Sequence, residues 1–591
     1  MENQKNSYSF FAILLNIQMN IRMYFKIFIF FIFLYVIFIF SIVIIFEHEY
    51  FNNIINLFSA FFNSLVNFNF ANADYNLSNA TNIFLGIMKY VMIKTWYVFI
   101  LLPVAFYLSK FLNNKKSNHI RGAKITTVNE LKKALLKEKC SLPFGQIEMP
   151  IDAEIKHSFI VGRPGTGKTN CINQIIEALI KRNSKTLIYD FKGDFLTKFY
   201  NSTNDLIFNP LDKRCVGWNI WNDIDTVMDI NAVAAGLIPE SSKNADPFWN
   251  NSARDIFIGV LHYCFQKNLR TNKGIWETCK LHVFELATVL RDIKGAEAAN
   301  KHFEDLKSKI LPSIMSIFMQ NIKAFEYMQY IDGDFSIKKW LAQTNNNRIY
   351  LTNYADIKDT LKPILSMFID VVGRKLLSMH DDIERRVFFL LDEFGTLQRL
   401  NTIIQLLTLS RSKGGAVFIG IQDVGQIDNL YGKELRASII NSCGNNLIFS
   451  VKDPVTADFF SEKIGDTEYY EDTQGHSYGE KSDRINVNQQ KRKERLILPS
   501  DIMNLRDLSG YLMLVNYNPC LTLFNYKNYK NRNIQFIMQE KYTLDKECTI
   551  LNNVDVNDTA IEIHNQENSD IPVEKTTCIH NKAIASKGLF V

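Results

Sequence analysis

Residues 162–169 read GRPGTGKT, a complete G-x-x-x-x-G-K-[ST] phosphate loop that closes the apolar run Ser158, Phe159, Ile160, Val161. Chemistry fixes this spacing. The glycines let backbone N–H groups turn inward around phosphates, Lys168 is placed to reach the β and γ oxygens, and the Thr169 hydroxyl is placed on magnesium. CINQIIEALIKR then follows as a helix whose N-terminus faces the anion. Gly162, Arg163, Pro164, Gly165, Thr166, Gly167, Lys168, Thr169 and Asn170 are therefore the expected contacts for ATP with Mg2+.

Binding alone is not turnover, and the second informative stretch is VFFLLDEF, Val387 to Phe394. Five apolar residues before two carboxylates describe a buried parallel strand that delivers Asp392 and Glu393 to the carboxyl edge of a sheet. There Asp392 is expected to hold the metal through water and Glu393 to polarise the attacking water. Taken alone, the segment reads equally as a core strand ending in a solvated acidic turn.

The chain has 591 residues, enough for two or three domains, with a formal charge of +6. That charge permits a nucleic-acid partner without arguing for one. Nine cysteines are scattered with no C-x-x-C pair, the pattern of reduced thiols, and no structural zinc is expected. The apolar weight lies at the N-terminus. Ile27 to Phe46 is twenty residues without a charge, which as a helix spans roughly 30 Å, the thickness of a bilayer core. A second candidate span, about residues 91–112, contains Lys94 and Pro103. Lys5, Arg22 and Lys26 precede the first span and Lys110, Lys115, Lys116, Arg121 and Lys124 follow the second, whereas the loop 47–90 carries only Lys89. The positive-inside rule then places both termini in the cytoplasm.

Beyond this membrane anchor, 1–112, the periodicity becomes mixed. Residues 113–223 form the first part of a nucleotide-binding domain, with KTLIYDFKGDF as a strand from Thr186 to Tyr189. Asp190, Lys192 and Gly193 end it on the same edge as the phosphates, either as ligand contacts or as a plain strand-to-turn junction. From 224 to 342 apolar residues recur every three or four positions, which predicts an all-helical insert. Residues 343–530 resume the domain: a strand in NRIYLTNY, a helix about 361–377, the acidic strand, a helix Leu397 to Lys413, the strand AVFIGIQ, and a polar stretch from about Tyr470 to Arg495. The alternation predicts an α/β fold with a doubly wound parallel sheet. Gln422 ends the strand expected beside the acidic one, where its amide can read the γ-phosphate or orient water. Arg411, in SRSKGG, reads either as an arginine finger across a subunit boundary or as a solvated helix C-terminus. The tail 541–591 carries five Lys against eight Asp and Glu, a composition expected of disorder.

Taken together, RGAKITT, GRPGTGKTN, IYDFKGDF, FNPLDKRCVGWN, ADPFWNNSARDIF, LLDEFGTL, SRSKGGAVFIGIQDVGQI and ILPSDIMNL resemble the type IV coupling proteins of the TraD kind. The resemblance runs over most of the chain, including the two spans and the helical insert. It implies a RecA-like P-loop ATPase, multi-pass in the bacterial inner membrane with its nucleotide domain cytoplasmic. It implies a homo-hexameric ring that feeds a relaxase-bound single DNA strand to a type IV secretion channel. Lys168 and Thr169 would bind nucleotide and magnesium, Asp392 and Glu393 act on metal and water, Arg411 serve in trans, and Gln422 sense the γ-phosphate. Of three rivals to this reading, two remain open. The same ATPase can act as a receptor for secreted proteins, a non-hydrolysing scaffold can bind ATP, and a duplex translocase is disfavoured because neither further spans nor a winged-helix reader is evident. No LSGGQ-like signature precedes the acidic strand, which disfavours an ABC-type ATPase.

Overall fold

The computed structural model describes residues 119–542, apart from 242–245, 345–346 and 478–483, and a few isolated positions before residue 119. The two expected spans and the tail from 543 lie outside the described residues. Among the described residues no helix is long and apolar enough to cross a membrane. The chain divides into two compact units, Met1–Ser117 and Asn118–Val591, and the second contains every described strand.

In chain order the strands are β1 His119–Gly122, β2 Cys140–Phe144, β3 Ile147–Pro150, β4 Ser158–Val161, β5 Lys185–Asp190, β6 Leu206–Phe208 and β7 Arg348–Thr352. They continue as β8 Val387–Leu391, β9 Gly415–Ile421, β10 Asn445–Ile448, β11 Asp466–Ser477, β12 Arg484–Arg495, β13 Ser509–Met513 and β14 Cys520–Leu523. Nine form one sheet in the order β14-β13-β10-β4-β9-β8-β5-β7-β6. From β10 to β6 every pairing is parallel, while β13 and β14 are antiparallel. β4, β5, β7, β8, β9 and β10 are buried at every position, as expected where helices cover both faces.

The two faces are written into alternate residues. Ile160, Ile188, Phe388, Leu390 and Phe418 pack toward the helix Lys168–Lys181, through Ile172, Ile175, Ile176 and Leu179. Phe159, Val161, Leu187, Phe389, Leu391 and Ile419 face the other way, into a cluster that includes Leu365, Phe368 and Val372 of the helix Lys358–Leu377. That second cluster runs on without a break into Phe257, Phe318 and Phe325. Those residues belong to the helical segment between β6 and β7, whose longest member is Pro247–Gln266. Asp223 pins the entrance and exit of this segment together. Its carboxylate accepts from Trp218 Nε1 at 2.9 Å, Ser336 Oγ at 2.9 Å and the N–H groups of Ile337 and Lys338, both at 2.9 Å.

One expectation needs correction. The helix expected over Leu397 to Lys413 is shorter: an α-helix Ile403–Leu409 followed by a 3-10 turn Ser410–Lys413. The preceding N–H groups are donated elsewhere, that of Gln398 to Ser366 Oγ, of Leu400 to Tyr431 Oη, and of Asn401 and Thr402 to the Asp370 carboxylate. With those donors committed, the helix starts only at 403. Within the polar stretch, residues 470–477 belong to β11 and 484–495 to β12, and these two strands pair with each other and with β1 in a three-stranded antiparallel sheet. Cross-strand ion pairs hold its base: Arg121 with Glu468 at 2.6 Å, Lys491 with Glu468 at 2.7 Å and Lys493 with Asp466 at 2.9 Å.

Candidate active site

The parallel register decides what meets at the carboxyl edge. Val161 pairs with Ile421, and Leu391 with Ile419, so β9 lies between the loop strand β4 and the acidic strand β8. Gly162, Gln422, Asp392 and Glu393 leave the sheet side by side. Gly420 makes the approach possible: a Cβ there would stand 2.9 Å from Asp392 Oδ1.

Backbone bonds hold the loop open. The Gly162 N–H donates to the Ile421 carbonyl at 3.2 Å, that of Arg163 to Ser450 at 2.9 Å, and the Thr166 carbonyl accepts from Leu508 N–H at 2.8 Å. Gly165 and Gly167 have φ of 86° and 116°, left-handed values that side chains resist. A Cβ at Gly162 would fall 2.7 Å from Phe449 Cβ and 2.8 Å from Thr166 Oγ1. Thr169 is exposed on the first turn of the following helix. Arg163 reaches sideways to Asp507 at 2.9 Å, and Pro164 is exposed. Both ends of the Asn170 amide are taken by a distant segment: Nδ2 donates to the Asn525 carbonyl at 3.1 Å, and Oδ1 accepts from Lys527 N–H at 3.0 Å. Its side chain thus fastens residues 525–527 to the loop helix.

Lys168 is buried, with Nζ 3.4 Å from Asp392 Oδ1 and 3.5 Å from Glu393 Oε1. Asp392 Oδ1 has no hydrogen-bond partner among the described residues, and burial pushes the carboxyl up from its ordinary pKa against the opposing pull of the Lys168 ammonium. A buried carboxylate oxygen without a donor, beside a cation, fits a hydrated divalent metal. The Gly162 cradle and the two left-handed glycines fit phosphates. Glu393 is the left-handed residue of this turn, at φ 56° and ψ 44°, a conformation costing about 1 kcal/mol or more for a non-glycine. Gln422 Nε2 donates to both of its carboxylate oxygens, at 3.1 and 2.9 Å. The Glu393 carbonyl accepts from Thr396 N–H at 2.8 Å and from Thr396 Oγ1 at 2.7 Å. In this arrangement Gln422 positions Glu393.

Asp190, at the end of β5 on the same edge, is fully buried. Burial pushes its pKa up to about 7 although the N–H groups of Phe195 and Leu196 donate to it, each at 2.8 Å. It therefore starts the helix Asp194–Phe199. Lys192 and Gly193 meet Gln535, in the segment that follows β14.

Arg411 is not part of this cluster. It sits in the 3-10 turn before β9, at the amino edge, one strand length from Gln422, about 23 Å at 3.3 Å per residue over Gly415–Ile421. It is exposed and forms no ion pair among the described residues.

The sheet order, the loop and the paired carboxylates define a RecA-like P-loop nucleotide-binding fold. The chain belongs to the family of the type IV secretion-system coupling protein DNA-binding domain, whose model matches residues 141–524. It is 29% identical over 434 residues to the coupling protein TraD of Escherichia coli strain K12, covering 71% of this chain and 60% of that protein. To the protein VirD4 of Rhizobium rhizogenes it is 22% identical over 412 residues, covering 66% of this chain and 60% of that protein. Among solved structures it resembles the plasmid coupling protein TrwB in complex with ADP and Mg2+, at a TM-score of 0.63 and 25% identity, over 71% of this chain and 98% of that one. The matched region spans about 60% of the length of these curated relatives.

Proposed function

We propose that this chain is a membrane-anchored ATP hydrolase that couples a relaxase-bound single DNA strand to a type IV secretion channel and drives its transfer. Membership of the coupling-protein family supports the biological setting. The observation that carries the chemical reading is the convergence of Lys168, Asp392 and the Glu393–Gln422 pair on one sheet edge beside the phosphate loop.

The loop N–H groups and Lys168 would bind and orient the β and γ phosphates of ATP. Thr169 and Asp392 would hold Mg2+, whose chemistry when bound is to neutralise charge on the β and γ oxygens. Glu393, fixed by Gln422, would accept a proton from the attacking water. Swinging off the carboxylates onto phosphate would release Lys168 from Asp392 and Glu393. Arg411 would complete the site of a neighbouring copy in a homo-hexamer.

The test is ATP turnover by the full chain across a protein concentration series, with and without single-stranded DNA. Turnover that rises more steeply than concentration, and again with DNA, supports an assembling DNA motor. ATP binding with turnover at background at every concentration overturns it and favours the scaffold. Turnover that secreted proteins stimulate and DNA does not favours the receptor.

A further inference from the structure

Beyond the nucleotide edge, the helical segment encloses a cleft of about 390 Å³ with residues 399–404 after the acidic strand and the helix Gly425–Ser442. Arg254, from the helix Pro247–Gln266, and Arg399, from the segment after the acidic strand, both line it, with Asn401 and Tyr431. Arg254 is half-buried. Its Nε donates to the Ile238 carbonyl at 2.8 Å, and its buried Nη2 has no hydrogen-bond partner among the described residues. A buried guanidinium N–H left without an acceptor is destabilising, and a charged group more so than a neutral one. Arg399 pairs with Glu240 at 3.1 Å and lies over the Tyr431 ring at 6.0 Å. The Glu240 side chain is 60% exposed, so that pair is worth little.

We propose that this cleft binds a backbone phosphate of the transported polynucleotide strand, displacing Glu240 from Arg399 and satisfying Arg254. The proposal rests on the DNA-motor reading above and deepens it by assigning a contact. Two guanidiniums and an amide suit a phosphate's several acceptor oxygens. Tyr431, Leu435 and Ile404 supply an aromatic and aliphatic wall for the sugar and base that a lone carboxylate would not need.

The cleft also touches the hydrolytic turn. Tyr431 Oη accepts from Leu400 N–H at 2.8 Å, and its ring stacks on Phe394 at 5.8 Å with 9° between planes. Phe394 is the residue after Glu393. A strand seated on Arg399 thereby reaches the residue that activates water, through Leu400, Tyr431 and Phe394, and occupancy biases turnover.

The experiment uses the full-length protein in detergent, a labelled oligothymidylate as probe, and ATP turnover with and without it. Arg254→Gln and Arg399→Gln should each weaken binding about tenfold and flatten the dependence of log affinity on log salt by about 0.7, the value for one lost phosphate contact on a single strand. Both should lower the ratio of turnover with oligonucleotide to turnover without. Glu240→Gln, at an exposed position, should tighten binding two- to fivefold, which a structural role for the cleft does not give. Wild-type affinity, salt slope and stimulation in both arginine variants overturn the proposal and leave the motor reading standing. A wild-type protein that neither binds nor responds to the oligonucleotide overturns the motor reading as well. Displacement of the oligonucleotide by millimolar inorganic phosphate assigns the cleft to free phosphate and overturns the strand assignment.

Discussion

The two ends of the same parallel strands carry opposite chemistry. At the carboxyl edge Lys168, Asp392, Glu393 and Gln422 are packed against one another, with Lys168 shared between two carboxylates. At the amino edge Arg411 stands in solvent, and the buried group beneath it, His157, is held neutral: Nδ1 accepts from Val417 N–H at 3.1 Å, and burial drives its pKa down to about 4. One edge gathers the residues of the proposed hydrolytic site, and the other presents a cation that forms no ion pair among the described residues. On the proposed function, the difference means that a single copy binds nucleotide, while rapid turnover requires the amino edge of one copy against the carboxyl edge of another.

Breaking the carboxyl edge has the largest effect. Lys168→Ala should abolish ATP binding, read by equilibrium binding of a fluorescent ATP analogue; retained affinity would remove Lys168 from the site. Arg411→Ala tests the opposite edge: turnover should fall about 10³-fold or more while nucleotide affinity stays as in the wild type, because its target is the neighbour's transition state. Glu393→Gln should keep ATP binding and cost about 10² to 10⁴ in turnover, the usual worth of a positioned base. Equal turnover would show that Glu393 does not activate water.

The smallest effect concerns stability. A buried imidazole with a folded pKa near 4, against 6.5 in the unfolded chain, leaves the unfolded state holding more protons between those values. Stability is therefore intact above pH 6.5 and is lost as pH falls toward 4, by about 3 kcal/mol in total. His157→Asn offers an uncharged acceptor to Val417 and tolerates the left-handed φ of 58° at this position. Denaturant titrations at pH 7 and pH 4 should show a steeper loss in the wild type than in the variant, and parallel losses would contradict the assignment.

How legible each edge is in the sequence follows from how local its determinants are. The phosphate loop and the acidic strand are contiguous motifs whose spacing dictates backbone geometry, and the apolar runs of β4, β8 and β9 align them by register alone. Asn170 is different, because its amide is held by Asn525 and Lys527, some 350 positions away. The helix after the acidic strand is shortened by Asp370 and Tyr431, residues no local pattern connects to Asn401 or Leu400. The strands β11 and β12 hide in polar sequence because polar and charged residues dominate their cross-strand pairs, with ion pairs at the base, and the apolar alternation that marks a half-buried strand is missing. Arg254 lies in the quoted ADPFWNNSARDIF run, yet only the tertiary cleft shows that one of its donors lacks a partner among the described residues.

The most direct test of hydrolysis across two edges is to mix purified Lys168→Ala and Arg411→Ala chains and measure ATP turnover. Each alone should be at background, since one lacks a working carboxyl edge and the other a working amino edge. Mixing should restore a substantial fraction of wild-type turnover, because some interfaces then pair an intact Arg411 with an intact Lys168. A mixture that stays at background, or an Arg411→Ala protein that turns over ATP at the wild-type rate by itself, would contradict the account.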